Sequence, residues 1–179
     1  DLYKRGSGYK ISLIEKSDGS FRRIESPHAT HRHIQRQLKG LLDQVYRPVE
    51  PVHGFRTGRS VATNAEQHLA RRTIVRVDLK DFFRTITFGR VRGVFRKPPF
   101  RFEWSVATIL AHACCCQGVL ATGGLTSPVL SNLICSKMDK ELLRLASKFN
   151  GRYTRYSDDM HFSFNRRPEA IPQFIAIDS

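Results

Sequence analysis

The chain has 179 residues, 40% of them hydrophobic, which is enough for one modest core or two small subdomains and argues against disorder throughout. Thirty Lys and Arg against sixteen Asp and Glu give a formal net charge of +14, which favours a polyanionic partner, usually nucleic acid, over a basic protein without one. No apolar run reaches the roughly 18 residues of a membrane-spanning helix, so no membrane partner is expected.

The first part of the chain predicts a charged hairpin followed by a helix. Strand-forming residues at 9–14 and 21–25 flank a Ser-Asp-Gly-Ser turn, and the hairpin carries Lys16 and Arg23. From about residue 29 to residue 46, apolar side chains recur at helical spacing, and two prolines follow. Arginine forks match phosphate oxygens, so the hairpin is a candidate triphosphate contact; the alternative is an ordinary exposed hairpin.

A basic loop with two glycines follows at residues 52–60 and contains Arg56 and Arg59. Ser60 is a suitable cap for a short helix running to about residue 71. That helix carries Asn64 and His68, which are either functional or ordinary polar residues of a helix face.

The middle of the chain predicts a buried strand at residues 73–77, because β-branched residues dominate there, and Asp78 ends it. Phe82 and Phe83 follow closely, either as core residues or as a platform under a bound sugar. A helix is expected at 104–113.

Beyond that helix, residues 118–126 predict a loop whose Gly123 and Gly124 permit close backbone approach to a nucleotide or template. Its alternative is a plain loop before the long helix that Ser127-Pro128 opens. Two strands at 152–156 and 160–164 then meet at Ser157-Asp158-Asp159. Helices with antiparallel hairpins predict an α+β fold rather than a doubly wound one.

Four cysteines are present, at positions 114, 115, 116 and 135. Three consecutive cysteines do not suit a disulfide framework, and no C-x-x-C pair is present. We expect reduced, buried thiols in a cytoplasmic protein rather than a metal site with nearby His112.

Three aspartates are the strongest chemical signal. Asp158 and Asp159 are adjacent at a predicted turn, where two like charges repel, and Asp78 ends a separate strand. If the strands are neighbours, the three carboxylates converge and suit two Mg²⁺ ions of the kind that drive phosphoryl transfer. The alternative is a plain solvated turn and a strand-end cap.

Three segments together resemble reverse transcriptases: Val77-Asp78-Leu79-Lys80-Asp81-Phe82-Phe83, the segment 120–132 containing Leu-Ala-Thr-Gly-Gly, and Tyr156-Ser157-Asp158-Asp159. The order and separation of these segments also match the family. The resemblance implies a right-hand polymerase fold with an antiparallel palm sheet backed by helices. It implies fingers at residues 1–72, palm at 73–98 and 127–179, and their connection at 99–126. The thumb is expected to be absent from this chain.

The resemblance also implies roles. Two Mg²⁺ ions, with Mn²⁺ as the alternative, are expected on Asp78, Asp158, Asp159 and the carbonyl of Leu79. The deoxynucleotide triphosphate is expected at Lys16, Arg23, Asp81, Phe82, Phe83 and Thr122, with Phe83 rejecting a ribose 2′-OH. Nucleic acid, an RNA template with a DNA or RNA primer, is expected at Arg56, Arg59, Asn64, His68, Gly123 and Tyr156.

A narrower resemblance is to bacterial retron reverse transcriptases. It rests on His53-Gly54-Phe55 with Gly58-Arg59-Ser60, and on the Asn-Ala-x-x-His element formed by Asn64 and His68. It implies a cognate noncoding RNA as template and primer, an effector protein as a further candidate partner, and a role in antiphage defence. Group II intron enzymes share the remaining features.

One departure from the family is Thr122, which stands where a Gln normally touches the nucleotide. This departure, with the missing thumb, favours the alternative of a catalytically inactive RNA-binding scaffold. A two-metal phosphodiesterase is a second alternative, and it needs no triphosphate contact at Arg23.

Overall fold

The computed structural model describes residues 8–17 and 19–165. Their helices and strands follow in chain order: β1 (Tyr9–Glu15), β2 (Phe21–Pro27), α1 (Ala29–Val45), α2 (Val61–Glu66), β3 (Thr73–Asp78), α3 (Phe82–Thr85), α4 (Phe88–Arg96), α5 (Trp104–Cys114), β4 (Cys115–Cys116), β5 (Val119–Leu120), α6 (Ser127–Lys148), β6 (Arg152–Tyr156) and β7 (Asp159–Phe164). The strands of its sheets pair antiparallel, and runs of helices separate them along the chain, so the predicted α+β class is confirmed.

The chain divides into two compact units, and each is assembled from two separate stretches. One contains residues up to Arg47 together with Asp81–Cys135, and the other contains Pro48–Lys80 together with residues from Ser136 onward. Residues 48–72 thus group with the strands that follow them.

The second unit is built on an antiparallel sheet in the order β3-β7-β6. One face packs on α6, and Tyr153, Phe162 and Phe164 form its core with Ala146. The predicted strands at 152–156 and 160–164 are confirmed, with β7 starting one residue earlier at Asp159. The expectation of a buried strand at 73–77 is wrong: β3 lies at the sheet edge, and every second residue, Ile74 among them, is exposed.

The first unit combines the β1–β2 hairpin with α1, α4 and α5. Tyr9 donates a 2.7 Å hydrogen bond to the carbonyl of Ala113, and the Gln35 amide reaches the same carbonyl at 2.7 Å, so the hairpin and α1 are tied to the end of α5. The predicted hairpin, the helix predicted at 29–46 (α1) and the helix predicted at 104–113 (α5) are confirmed within two residues.

Two local expectations differ from the structure. The helix capped by Ser60 ends at Glu66 rather than near residue 71, and Ala70 adopts a left-handed φ of 57° that no helix continues through. Helix α4 was not predicted, although Phe88, Val91 and Phe95 recur at helical spacing and the last two are buried.

All four cysteines are buried and none forms a disulfide, as predicted. Burial raises the pKa of the Cys114 thiol to about 12. Within the described ranges, none of the helices combines the length and apolar character needed to cross a membrane.

Candidate active site

One end of the second unit's sheet carries the three predicted aspartates. Asp78, the last residue of β3, lies directly opposite Asp159, the first residue of β7. The amide of Leu79 donates a 3.1 Å hydrogen bond to the carbonyl of Asp158. Residues directly opposite in an antiparallel pair project to the same face, with Cβ atoms about 5 Å apart. The backbones of the three aspartates therefore lie together at this end of the sheet, as the prediction of neighbouring strands requires.

The turn between β6 and β7 consists of Ser157 and Asp158. Ser157 has a positive φ of 61°, a conformation that costs a non-glycine residue about 1 kcal/mol and persists only when its surroundings enforce it. Asp158 lies at the tip, and both residues are partly exposed.

The loop before α2 supports this turn from the side. Val52 forms a parallel bridge with Arg155, and the amides of His53 and Gly54 donate to the Arg155 carbonyl at 2.8 and 3.3 Å. A Cβ added to Gly54 would stand 2.2 Å from the Ser157 nitrogen. Only glycine permits this approach, so the geometry of the turn depends on residue 54.

A buried ion pair lies behind the turn. Arg155, fully buried in β6, donates from Nε and NH2 to the two oxygens of Asp139 on α6, each at 2.8 Å. Its remaining NH1 donates to the carbonyl of Ser157 at 2.7 Å. The Tyr153 hydroxyl donates to Asp139 at 2.8 Å. Sequence reasoning missed Arg155 and Asp139, since nothing in the pattern marks which charged residues turn inward.

The donor chemistry of the three carboxylates fits a divalent cation, because Mg²⁺ prefers carboxylate oxygens. Their side chains are not gathered around one point: the described part of the chain contains no cluster of three or more His, Cys, Asp or Glu side chains with metal-binding geometry. Asp159 instead accepts from Arg76, at 2.8 Å from Nε and 2.7 Å from NH2. The backbone positions suit a metal centre, and binding would require Asp159 to leave Arg76.

The candidate nucleotide-binding residues lie in the first unit, where buried Glu25 organises them. Its carboxylate accepts from Arg23 Nε at 2.9 Å, from Arg84 NH1 at 3.3 Å and from the Thr122 amide at 2.9 Å. Arg23 also donates to Gln117 at 2.6 Å. Sequence reasoning missed Glu25 and Arg84; a lone Glu among strand arginines was the only available signal.

Gly123 approaches protein backbone rather than open space. Its amide donates to the Glu25 carbonyl at 3.2 Å, and a Cβ there would stand 2.7 Å from the same oxygen. The two adjacent glycines therefore allow the loop to pack on β2.

The aromatic pair follows a backbone turn at Asp81, which has a left-handed φ of 51° and starts α3. Phe82 is buried and Phe83 is half-buried, with ring centroids 5.2 Å apart. Lys16 is exposed beside the hairpin turn, where its amide donates to the Ser20 carbonyl.

Asn64 and His68, expected at a nucleic-acid surface, are buried against the sheet. His68 bonds through Nδ1 to the Ser163 hydroxyl and through Nε2 to the Thr154 hydroxyl, both at 2.7 Å. Burial lowers the pKa of His68 to about 4, so its ring is neutral near pH 7. The Asn64 amide lies 3.4 Å from His161 Nδ1. Both residues join α2 to the sheet in this structure.

The two loop arginines are partly exposed. Arg56 donates to the carbonyls of Val49, Glu50 and Val52 at 3.3–3.4 Å, while Arg59 lies 3.9 Å from Glu50 and 3.5 Å from His53. Tyr156 ends β6 opposite Asp159 and is partly exposed.

Comparison with known proteins agrees with these features. The family model described as reverse transcriptase (RNA-dependent DNA polymerase) matches residues 14–177. Retron Mx162 reverse transcriptase of Myxococcus xanthus is 36% identical over 92% of this chain and 37% of its own length. Retron Ec86 reverse transcriptase of Escherichia coli is 31% identical over 90% of this chain and 51% of its own length. The chain thus spans about two fifths to one half of these relatives.

Among solved structures, apo telomerase from Candida tropicalis, truncated from the C-terminal domain, superposes with a TM-score of 0.56. The alignment covers 90% of this chain and 44% of that chain at 13% sequence identity. A likeness at this identity concerns the fold alone.

Proposed function

Because the chain belongs to the reverse transcriptase (RNA-dependent DNA polymerase) family, we propose that it forms the fingers and palm of an enzyme that copies RNA into DNA. The family membership and the fold likeness confirm the predicted right-hand polymerase fold. The single observation that carries the proposal is the convergence of Asp78, Asp158 and Asp159 at one sheet end.

In the proposed reaction, the primer hydroxyl attacks the α-phosphate of a deoxynucleotide in line, and pyrophosphate leaves. Asp78, Asp158 and Asp159, with the Leu79 carbonyl, would hold two divalent cations, Mg²⁺ or alternatively Mn²⁺. When bound, these ions lower the pKa of the attacking hydroxyl and neutralise the leaving phosphates. The β6–β7 turn orients the carboxylates, and the ion pair with Arg76 holds the Asp159 carboxylate while no cation is bound.

The incoming triphosphate is assigned to Lys16, Arg23 and the backbone amides at Asp81 and Phe82. Glu25 supports this assignment, since one buried carboxylate orients two guanidinium groups, those of Arg23 and Arg84. Phe83 is assigned to sugar selection. Thr122 would contact the nucleotide less extensively than a Gln, because its side chain is shorter.

Nucleic acid is assigned to Arg56, Arg59 and Tyr156, and Gly123 is assigned an indirect role, because it packs on the Glu25 backbone. For Asn64 and His68 we propose an indirect role, because both side chains are buried against β6 and β7. They hold α2, and with it the basic loop before α2, on the sheet.

The similarity to retron enzymes supports a narrower proposal. The protein would use a cognate noncoding RNA as template and primer in the bacterial cytoplasm, together with an effector protein, in antiphage defence. Coexpression with a candidate noncoding RNA tests this proposal, since DNA copied from that RNA would accumulate only with an active enzyme.

A second candidate is a catalytically inactive RNA-binding scaffold, and the Arg76–Asp159 ion pair favours it because that pair occupies a proposed metal ligand. Such a scaffold would bind RNA without responding to Mg²⁺.

Primer extension on an RNA template with deoxynucleotides and Mg²⁺ separates the two candidates. The full-length protein is compared with Asp158→Ala/Asp159→Ala and with Asp43→Ala, a control that removes an exposed carboxylate of α1. We expect extension by the parent and the control and none by the double variant. RNA binding without extension by any of the three would leave the scaffold as the function.

A further inference from the structure

A basic pocket lies in the first unit, between the open end of the β1–β2 hairpin and the start of α1. It is open to solvent and encloses about 510 Å³. Its polar lining is mostly basic or imidazole side chains: Lys10, His28, Arg32, His33 and Arg36. All five are exposed.

The pocket has no local countercharge. Among the residues that the structure describes, no carboxylate lines it. Helix α1 begins at its rim with neither a capping side chain nor an acidic residue in the first turn, which adds the positive end of the helix dipole. Like charges held this close repel one another, so a bound anion would relieve the repulsion.

The spacing suits a polymer better than a small anion. Arg32 and Arg36 are one helical turn apart, about 6 Å along the axis, which is close to the separation of successive phosphates along one strand. Lys10 stands across from them on β1, opposite Ser26. A row of guanidinium groups on an open surface can contact successive phosphates of a nucleic-acid backbone. A free phosphate, in contrast, is usually enclosed by donors from several sides.

The pocket is separate from the proposed triphosphate contacts. Lys16 lies at the other end of β1, six residues from Lys10 and therefore about 20 Å away along the strand. One hairpin thus offers two cationic sites at opposite ends.

We propose that this pocket binds the sugar-phosphate backbone of an RNA strand, with Arg32 and Arg36 on neighbouring phosphates and Lys10 on the opposite wall. The inference rests on the proposed function only in taking RNA as the partner. The pocket fixes the position of the strand without reading its bases, since guanidinium contacts to phosphate carry no sequence information.

The test is RNA binding over a salt series, measured by fluorescence anisotropy with a single-stranded RNA. Full-length Arg32→Gln/Arg36→Gln is compared with Lys39→Gln/Lys137→Gln, which removes two lysines that already pair with acids on their own helices. We expect the pocket variant to bind about tenfold more weakly at physiological salt and its salt slope to fall by about 1.4, at 0.7 per lost phosphate contact. The control should retain the parent slope.

Equal slopes for the pocket variant and the control would overturn the proposal. Inorganic phosphate provides the other arm: if phosphate raises the melting temperature of the parent but not of the pocket variant, while RNA binding is unchanged, the site binds a free anion. The catalytically dead Asp158→Ala/Asp159→Ala protein should keep the full slope, so loss of polymerase activity and loss of this site are distinguishable.

The buried Arg155 points to a second and independent role, in the positioning of the catalytic turn. A buried ion pair is weak grounds for stability, because a hydrophobic replacement of similar volume often serves equally well. What such a replacement cannot supply is the third donor, NH1, which bonds the Ser157 carbonyl in the strained turn. Asp139 fixes the other two donors to α6.

We infer that Arg155 is a positioning residue: it holds the Ser157-Asp158 turn to α6, and so sets where the carboxylates of Asp158 and Asp159 stand. This inference rests on the proposed function. A guanidinium is required because only its planar fork reaches Asp139 with two nitrogens and Ser157 with the third.

Arg155→Lys keeps the charge and loses the fork, while Arg152→Lys makes the same change at an exposed arginine of the same strand. Tyr153→Phe removes a different hydrogen bond to Asp139 and leaves the turn alone. At equal folded fraction, we expect Arg155→Lys to lower kcat tenfold to a hundredfold, with KM for the deoxynucleotide unchanged, because about 1 Å of misplacement costs on that order. Both other variants should keep kcat.

Binding of Mn²⁺, followed by electron paramagnetic resonance, gives a readout apart from activity. Affinity should fall in Arg155→Lys and not in Tyr153→Phe. Equal kcat and equal Mn²⁺ affinity in these two variants would show that Arg155 only stabilises the core. If the parent itself fails to extend primers, the proposed function fails, and the Mn²⁺ comparison still decides the positioning role.

Discussion

Arg76 donates a 2.8 Å hydrogen bond from Nε to one oxygen of Asp159, and its Nη2 lies 2.7 Å from the same oxygen, so the guanidinium pairs with a carboxylate that directly faces Asp78. The guanidinium and a divalent cation compete for the same oxygen. Arg76 lies on exposed β3, so the pair can open without disturbing the core.

Removing this competitor should therefore ease metal binding. In Arg76→Gln, we expect half-maximal extension at about threefold lower Mg²⁺, because a cation next to the site is lost. The control is Arg72→Gln, an exposed arginine just before the same strand. An unchanged Mg²⁺ requirement in Arg76→Gln would show that Arg76 and the metal ion do not compete for Asp159.

Gly54→Ala should damage the turn without touching a charged group. The new Cβ would meet the Ser157 backbone nitrogen at 2.2 Å, and the other near atoms, at 3.0 and 3.1 Å, are also backbone atoms of Tyr156 and Ser157, which cannot rotate away. We expect a loss of about 2 kcal/mol in urea unfolding and a lower kcat. Gly40→Ala on α1 is the control: no atom lies within 4 Å of its added Cβ, and Ala should stabilise that helix by up to about 1 kcal/mol. Equal stability of the two variants would contradict the close packing described for residue 54.

Acid should weaken the fold through His68. Its pKa is about 4 in the folded protein against 6.5 for an unperturbed ring, so the unfolded chain takes up the proton first as the pH falls. Stability should be level above about pH 6.5, fall by about 2 kcal/mol by pH 5, and level off below pH 4. Burial also lowers the pKa of His53 and His161, which adds to the loss.

His68→Gln, followed by urea unfolding across this pH range, isolates that contribution. The variant should be less stable at pH 7.5 and should lose less stability on acidification than the parent. His33→Gln, which alters an exposed histidine, should keep the parent's pH dependence. A parent-like slope in His68→Gln would mean that the ring is not held neutral by the sheet.

Glu25→Gln tests the arrangement of the candidate nucleotide contacts. Gln keeps the shape but loses the charge that orients Arg23 and Arg84, and charge-assisted hydrogen bonds of this kind contribute about 1.5–3 kcal/mol. We expect KM for the deoxynucleotide to rise about tenfold with a smaller change in kcat. Glu141→Gln, at an exposed position of α6, serves as the control. If KM stays constant and only the melting temperature falls, Glu25 has a structural role alone.

Local pattern predicted most of the fold and the location of the aspartates. The strands at 73–77 and 160–164 follow from β-branched and aromatic runs, whereas their pairing was only a condition of the predicted site and is seen in the structure. What pattern could not predict is which polar residues turn inward. Glu25, Asp139 and Arg155 look like surface charges in sequence, and their burial is decided by partners about 16 to 97 residues away along the chain.

The same limit explains Asn64 and His68. Their spacing predicts one helix face, but His68 lies beyond the end of α2. Only long-range contacts place the two side chains against the sheet: His68 bonds to Ser163 and Thr154, and Asn64 lies beside His161. An edge strand such as β3 is likewise hard to distinguish from a central one, because the residue pattern of a strand does not show how many strands pair with it.

Because each compact unit is assembled from two stretches that alternate along the chain, neither can be completed from a continuous piece of the gene. During synthesis, the stretch Pro48–Lys80 leaves the ribosome well before the stretch that starts at Ser136 and contains β7, the partner of β3. Strand β3 therefore stays unpaired while more than fifty further residues are made. Such late pairing slows folding and exposes a strand to aggregation. The charged residues that alternate with the apolar ones around β3 then serve a purpose during synthesis, by keeping the waiting strand in solution.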